Sequence, residues 1–339
     1  MSMNRPEKPN IFKFGTSELT QDAFIAWLIS WADPKFKNVD VALRKTGEEL
    51  LSKIFELNGK KMPNIESLEV HAQKHNMDVY VKINDKFHII VEDKIYSKTI
   101  SEQLERYVKD LIEGQKIDRD RILPIFFKTR DQSKNIIEKN NFEIIERKNL
   151  INILAKGKNE GIKNDLYNQY YDYLLTIEKN VEAFRNRNPN NWKNPQWRGF
   201  FKYIYEKLGD GDWSYVSNKR GGFIGYWWNE STVKNHTVYL QIEKEKLCFK
   251  IRHENGLVVQ KNDKRNWLRR VEEVSNEKSV PIIKPRKMGH GKHVTFAVWD
   301  LGDDDHWIPT MNDGIPNLKK AVKRLKIVEN ILNEAIHRV

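Results

Sequence analysis

MDVYVKINDKFHIIVEDKI, residues 77–95, reads as two short strands joined by a polar turn. Val79, Tyr80 and Val81 lie in the first strand, Asn84, Asp85 and Lys86 supply the turn, and Phe87 to Val91 form the return strand, a hairpin signal. Side chains alternate faces along a strand, so Glu92 and Lys94 share one face and Asp93 takes the other. On this geometry the Asp93 side chain is a bystander, while Asp78, Glu92 and Lys94 are gathered together. Phosphodiester hydrolysis needs an activated water, a neutralised phosphoryl group and help for the leaving oxygen. Hard carboxylate oxygens suit Mg²⁺, with Mn²⁺ as a substitute, and an ammonium group can position water or stabilise developing charge. Taken alone, Glu-x-Lys on a strand is more often an ordinary ion pair, so the neighbouring segments have to decide.

The next segment, SKTISEQLERYVKDLIEG (97–114), has capping residues Ser97, Thr99 and Ser101 followed by Leu104, Val108, Leu111 and Ile112 at helical spacing. Gln103 and Tyr107 are four apart and project from one helix face near the end of the second strand. An amide and a phenol placed there can orient a water or hold a phosphate; elsewhere the pair would be an exposed polar face.

The order Asp78, Glu92-x-Lys94, Gln103-x-x-x-Tyr107 resembles the PD-(D/E)XK nuclease superfamily, in the branch where a Gln-x-x-x-Tyr helix follows the catalytic hairpin, as in RecB-like and lambda-exonuclease-like enzymes. FGTSELTQDAFIAWLISWADP (14–34) is similar to the opening helix of bacterial members often found among defence genes. The resemblance implies that Glu18 projects into the metal site, with Asp22 one turn later as its substitute. It also implies metal ligation by Glu18, Asp78 and Glu92 and by the backbone carbonyl of Asp93, and a water-positioning role for Lys94. Met77 stands where the family name has proline, a residue often missing in these families.

Outward from the hairpin, helices over 18–32 and 42–57 precede strands near 66–73, 77–83 and 87–95. After the Gln-x-x-x-Tyr helix come a strand over 122–127, a short helix over 133–139, a strand over 142–147 and a helix over 149–154. The order αβββαβαβ implies an α/β restriction-endonuclease-like domain, a mixed sheet flanked by helices with the site at one sheet edge. The helix NQYYDYLLTIEKNVEAFRNR (168–187), with Tyr170, Tyr173, Leu174 and Ile177 on one stripe, trails it, and the Pro- and Asn-rich segment from 189 marks a boundary. Residues 1–188 are thus expected as the nuclease-like domain and 189–339 as a tryptophan-rich α+β accessory domain with an antiparallel sheet.

In that second half, SYVSNKRGGFIGYWWN (214–229) combines Lys219 and Arg220 with Tyr215, Phe223, Tyr226, Trp227 and Trp228. It reads either as a base-stacking platform or as a glycine-turned hairpin whose aromatics fill the core. Of the two adjacent tryptophans, one should face outward. KNDKRNWLRRVEEV (261–274) is a helix whose Lys261, Lys264, Arg265, Arg269 and Arg270 either track a phosphate backbone or form a solvated face. His71 and His75 have metal-like spacing but no His-Glu-x-x-His context, and Asp303 to Asp305 read as loop; no P-loop or dinucleotide fingerprint is present.

The chain has 339 residues and a formal charge of +12, a balance suited to a polyanionic partner. Its single cysteine, Cys248, excludes intramolecular disulfides and cysteine-based zinc clusters and fits a reducing cytoplasm. MSMNRPEKPN at the N-terminus has no apolar signal region, and no stretch approaches a membrane span. The expectation is a cytoplasmic, Mg²⁺-dependent nuclease acting on DNA in bacterial defence, without a membrane partner. A homo-oligomer or a defence-system partner protein is compatible with it. The rivals are a non-catalytic nucleic-acid-binding or regulatory protein on a nuclease-like fold, and an RNase.

Overall fold

A computed structural model of the chain describes residues 9–15, 18–74, 76–93, 101–133, 142–218, 221–300 and 306–338. Lys94, His75, Lys219, Arg220, Asp303 to Asp305 and all but Ser133 of the helix expected over 133–139 lie outside these residues. The chain divides into two compact units, Met1–Asp131 with Ile136–Lys179, and Asn180–Val339 with Gln132–Asn135.

In the first unit, α1 (Glu18–Ser30) and α2 (Val41–Leu57) precede β1 (Leu68–Lys74), β2 (Met77–Ile83) and β3 (Phe87–Asp93). Then come α3 (Ser101–Gln115), β4 (Ile122–Lys128), β5 (Glu143–Glu146), α4 (Arg147–Asn159) and α5 (Asp165–Glu182). The sheet runs β1-β2-β3-β4-β5, antiparallel through β3 and parallel from β3 to β5, the mixed sheet expected. The hairpin closes because Asn84 and Asp85 both take positive φ, which short polar side chains tolerate, and Lys86 N–H then donates to Ile83 O at 3.0 Å. Tyr80, Ile90 and Phe126 pack one sheet face on Leu104, Tyr107 and Leu111 of α3. On the opposite face Asp93 points toward α1, where Gln21 meets it.

Two interactions fix the frame around this sheet. At Gly47 of α2 a Cβ would lie 2.6 Å from the Leu28 carbonyl oxygen of α1, so the helices approach closely only because the residue is glycine. Arg147, almost fully buried at the start of α4, pairs with Asp131 at 2.8 Å and Glu178 of α5 at 2.7 Å and donates to Thr129 O at 2.6 Å.

The second unit contains α6 (Asn194–Leu208), β6 (Asp212–Val216), β7 (Phe223–Val233), β8 (His236–Glu243) and β9 (Lys246–His253). It continues with α7 (Lys261–Glu277), β10 (Ile282–Ile283), β11 (His293–Trp299) and α8 (Leu318–His337). Its antiparallel sheet runs β10-β11-β9-β8-β7-β6. Phe200, Phe201, Tyr226, Trp228, Phe249, Trp267 and Val328 from sheet and helices share one core. Gly221 and Gly222 take positive φ in the turn before β7, so the hairpin alternative describes this segment. Trp228 is buried and Trp227 half-buried, while Tyr215 stays exposed. The basic helix needs one correction. Lys264 is only 3% exposed, and its Nζ donates to Gly289 O at 3.1 Å, because it falls on the apolar stripe of Trp267, Leu268 and Val271.

Candidate active site

The hairpin and α1 bring acids together at the end of β2 and β3. Asp78 Oδ2 accepts the backbone N–H of Asp93 at 2.8 Å, which ties the start of β2 to the end of β3. Gln21 Nε2 of α1 donates to Asp93 Oδ1 at 2.6 Å, while Asp93 Oδ2 is buried with no hydrogen-bond partner among the described residues. Burial pushes the Asp93 carboxyl well above the usual carboxylate range. The negative charges of Asp22, Glu18 and Asp78 push it the same way, and Lys128 at the end of β4 opposes them.

Gln73 Nε2 reaches Asp22 Oδ2 at 3.3 Å, aided by the positive φ of Gln73 near the end of β1. The Tyr170 hydroxyl is buried without a hydrogen-bond partner among the described residues. Burial raises its pKa, and the charges of Asp93 and Asp22 raise it further, so it remains a proton donor beside the acids.

Glu92 is fully buried but on the other sheet face, one step beyond the Val79–Val91 pair and therefore beside Asp78. Strand alternation thus divides the acids: Asp93 faces Glu18 and Asp22, Glu92 faces the α3 side, and Asp78 stands at the junction. Glu18, Asp78 and Glu92 do not converge as a trio, and no group of three His, Cys, Asp or Glu side chains among the described residues is placed to hold an ion. In donor chemistry the cluster still suits a hard divalent cation. Its oxygens are carboxylate, its charges are mutually repelling, and Asp93 keeps a buried acceptor that a cation would satisfy. The Asp93 side chain, a bystander by alternation alone, is the group on which these interactions centre.

Gln103 and Tyr107 do share a face, and their hydrogen bonds are with the protein itself. Gln103 Nε2 donates to the Tyr107 hydroxyl at 2.7 Å, and that hydroxyl donates to the carbonyl of Asn76, two residues before Asp78. The pair therefore braces the β1–β2 turn, where Asn76 has φ 64°. Tyr107→Phe is expected to cost about 1 kcal/mol in urea unfolding, the net worth of such a bond. It is also expected to speed amide exchange at Met77 and Asp78. Unchanged exchange would mean that the phenol does not hold the turn.

Sequence reasoning missed Gln21, Gln73, Lys128 and Tyr170. Only Lys128 had a legible signal, as the lysine ending the apolar run ILPIFF. In the parallel pairing Phe127 stands opposite Asp93, which places Lys128 at the acidic end of the sheet. His71 lies on β1, its ring stacked on that of its cross-strand partner Tyr80 with centroids 6.3 Å apart.

A mixed sheet with an acid-bearing hairpin, an acid-bearing first helix and a Gln-x-x-x-Tyr helix has the layout of a nuclease domain. The family model of the PD-(D/E)XK nuclease superfamily matches residues 9–198, and the chain belongs to that superfamily. No curated protein and no solved structure matches the chain. Members of the superfamily are typically nucleases that use divalent metals, and the fold implies a nucleic-acid partner. No helix among the described residues is long and apolar enough to cross a membrane.

Proposed function

We propose that the protein is a Mg²⁺-dependent deoxyribonuclease of the cytoplasm, acting in bacterial defence against foreign DNA. The observation that carries this reading is the buried Asp93 carboxyl facing the charges of Asp22, Glu18 and Asp78 within the superfamily scaffold. The superfamily pattern assigns the cation to Glu18, Asp78 and Glu92 with the Asp93 carbonyl; these acids stand apart without it and would have to draw together on it, the Asp93 carboxyl adding an oxygen on the α1 side. Once bound, the cation supplies Lewis acidity toward water and the phosphoryl group. Lys94 would position the attacking water. Gln103 and Tyr107 act by keeping the turn before Asp78 in place, and Gln21 orients Asp93.

The test is incubation of the full chain with linear, circular and single-stranded DNA and with RNA, in Mg²⁺, Mn²⁺ or EDTA. Cleavage of DNA that EDTA abolishes is expected. Cutting confined to RNA would reassign the substrate, and binding without cutting in any metal would favour a regulatory protein on this fold.

A further inference from the structure

The second unit carries a cationic surface that no single sequence segment defines. Residues 284–293 contain Lys284, Arg286, Lys287 and Lys292, two histidines and no acid. All four cations are exposed. This segment between β10 and β11 is held against the start of α7 from two sides. Val259 N–H donates to Gly291 O at 3.2 Å, and the buried Lys264 donates to Gly289 O at 3.1 Å. Lys292 extends back over the β9–α7 loop, its Nζ 3.8 Å from the position a Cβ on Gly256 would take. The exposed Lys261 and Arg265 stand on the first turns of α7 beside it. Of the acids on α7, Asp263 meets His236 at 3.3 Å, Glu273 meets Arg269 at 3.8 Å and Glu277 meets Arg338 at 2.6 Å, while Glu272 lies near enough to Lys284 to offset part of its charge.

We propose that this composite surface docks the phosphate backbone of duplex DNA, as a site separate from the acid cluster of the first unit. The choice of DNA rests on the nuclease reading above; the requirement for a polyanion rests on the charge alone. Exposed cations around an anchored loop suit a regular row of phosphates, each of which releases counterions when neutralised. The site reads no sequence. It would hold DNA on the protein between cuts.

The test is binding of a labelled DNA duplex to the full chain in EDTA over a salt series, comparing wild type with K261E/K287E/K292E. These positions are exposed, so the variant should melt at the wild-type temperature. Its affinity should fall at least ~10-fold, and the slope of log K against log salt should shallow by about 3, near 0.9 for each phosphate that is no longer neutralised. Equal affinity with an equal slope overturns the proposal. So does tighter wild-type binding to duplex RNA, or to anionic phospholipid vesicles, than to DNA. A protein that cuts DNA while the variant binds unchanged loses this surface and keeps its nuclease reading. Binding that depends on the three cations, with no cutting in Mg²⁺, does the reverse.

Discussion

Asp78→Asn should lose DNA cleavage by roughly 10²–10³-fold, the scale seen when one preorganised electrostatic partner is removed from a reacting centre. The substitution leaves the local frame in place. Asn keeps a side-chain oxygen able to accept the Asp93 N–H that Asp78 Oδ2 now accepts at 2.8 Å, so the ends of β2 and β3 stay tied. What disappears is one negative charge at the junction between the Glu92 face and the Asp93 face. With that charge gone, the attraction for a divalent cation weakens, and higher Mg²⁺ should be needed for whatever activity remains. Cleavage rates across a Mg²⁺ titration, alongside a urea unfolding curve, give the answer. A stable variant that cuts at the wild-type rate with the same Mg²⁺ requirement would remove Asp78 from the centre.

Arg147→Met should be the most damaging single change to the first unit's stability. The guanidinium is taken out of water and satisfied by Asp131, Glu178 and the Thr129 carbonyl. Deleting it leaves a buried carboxylate without its cation, a loss of about 3–5 kcal/mol. At ~2–4 °C per kcal/mol for a domain of this size, the unit should melt on the order of 10 °C lower. Lys156→Met is the control, since the Lys156–Glu49 pair is largely solvated and worth at most ~1 kcal/mol. Calorimetry that finds the two variants equally stable would show that the buried network contributes no more than the exposed pair.

The hairpin was legible because local signals agree there: period-two strands on either side of Asn84–Asp85, two residues that accept positive φ. The helices followed from apolar spacing for the same reason. The partners of Asp93 were hidden because alternation says which face a side chain takes and not what arrives on that face. Gln21 comes from 72 positions earlier in the chain. Tyr170 looked like an ordinary core aromatic, which its stacking on Phe24 bears out, and nothing in its spacing placed its hydroxyl beside Asp22 and Asp93. Lys264 could have been read better, since three, four and seven residues on stand Trp267, Leu268 and Val271. Two-residue β10 is too short for any period to show.

The close approach at Gly47 makes α1 a lever. The helix rests on α2 at Leu28 and carries Glu18 ten residues away, about 15 Å along the axis. A tilt of roughly 10° about that fulcrum would swing the Glu18 backbone by about 2.6 Å, on the scale of a metal–oxygen bond. The spacing of charges at the sheet's end is therefore set partly by a residue with no side chain and no chemistry, well away from any reacting atom. Among homologues, loss of this glycine should be accompanied by a change in the acids of α1.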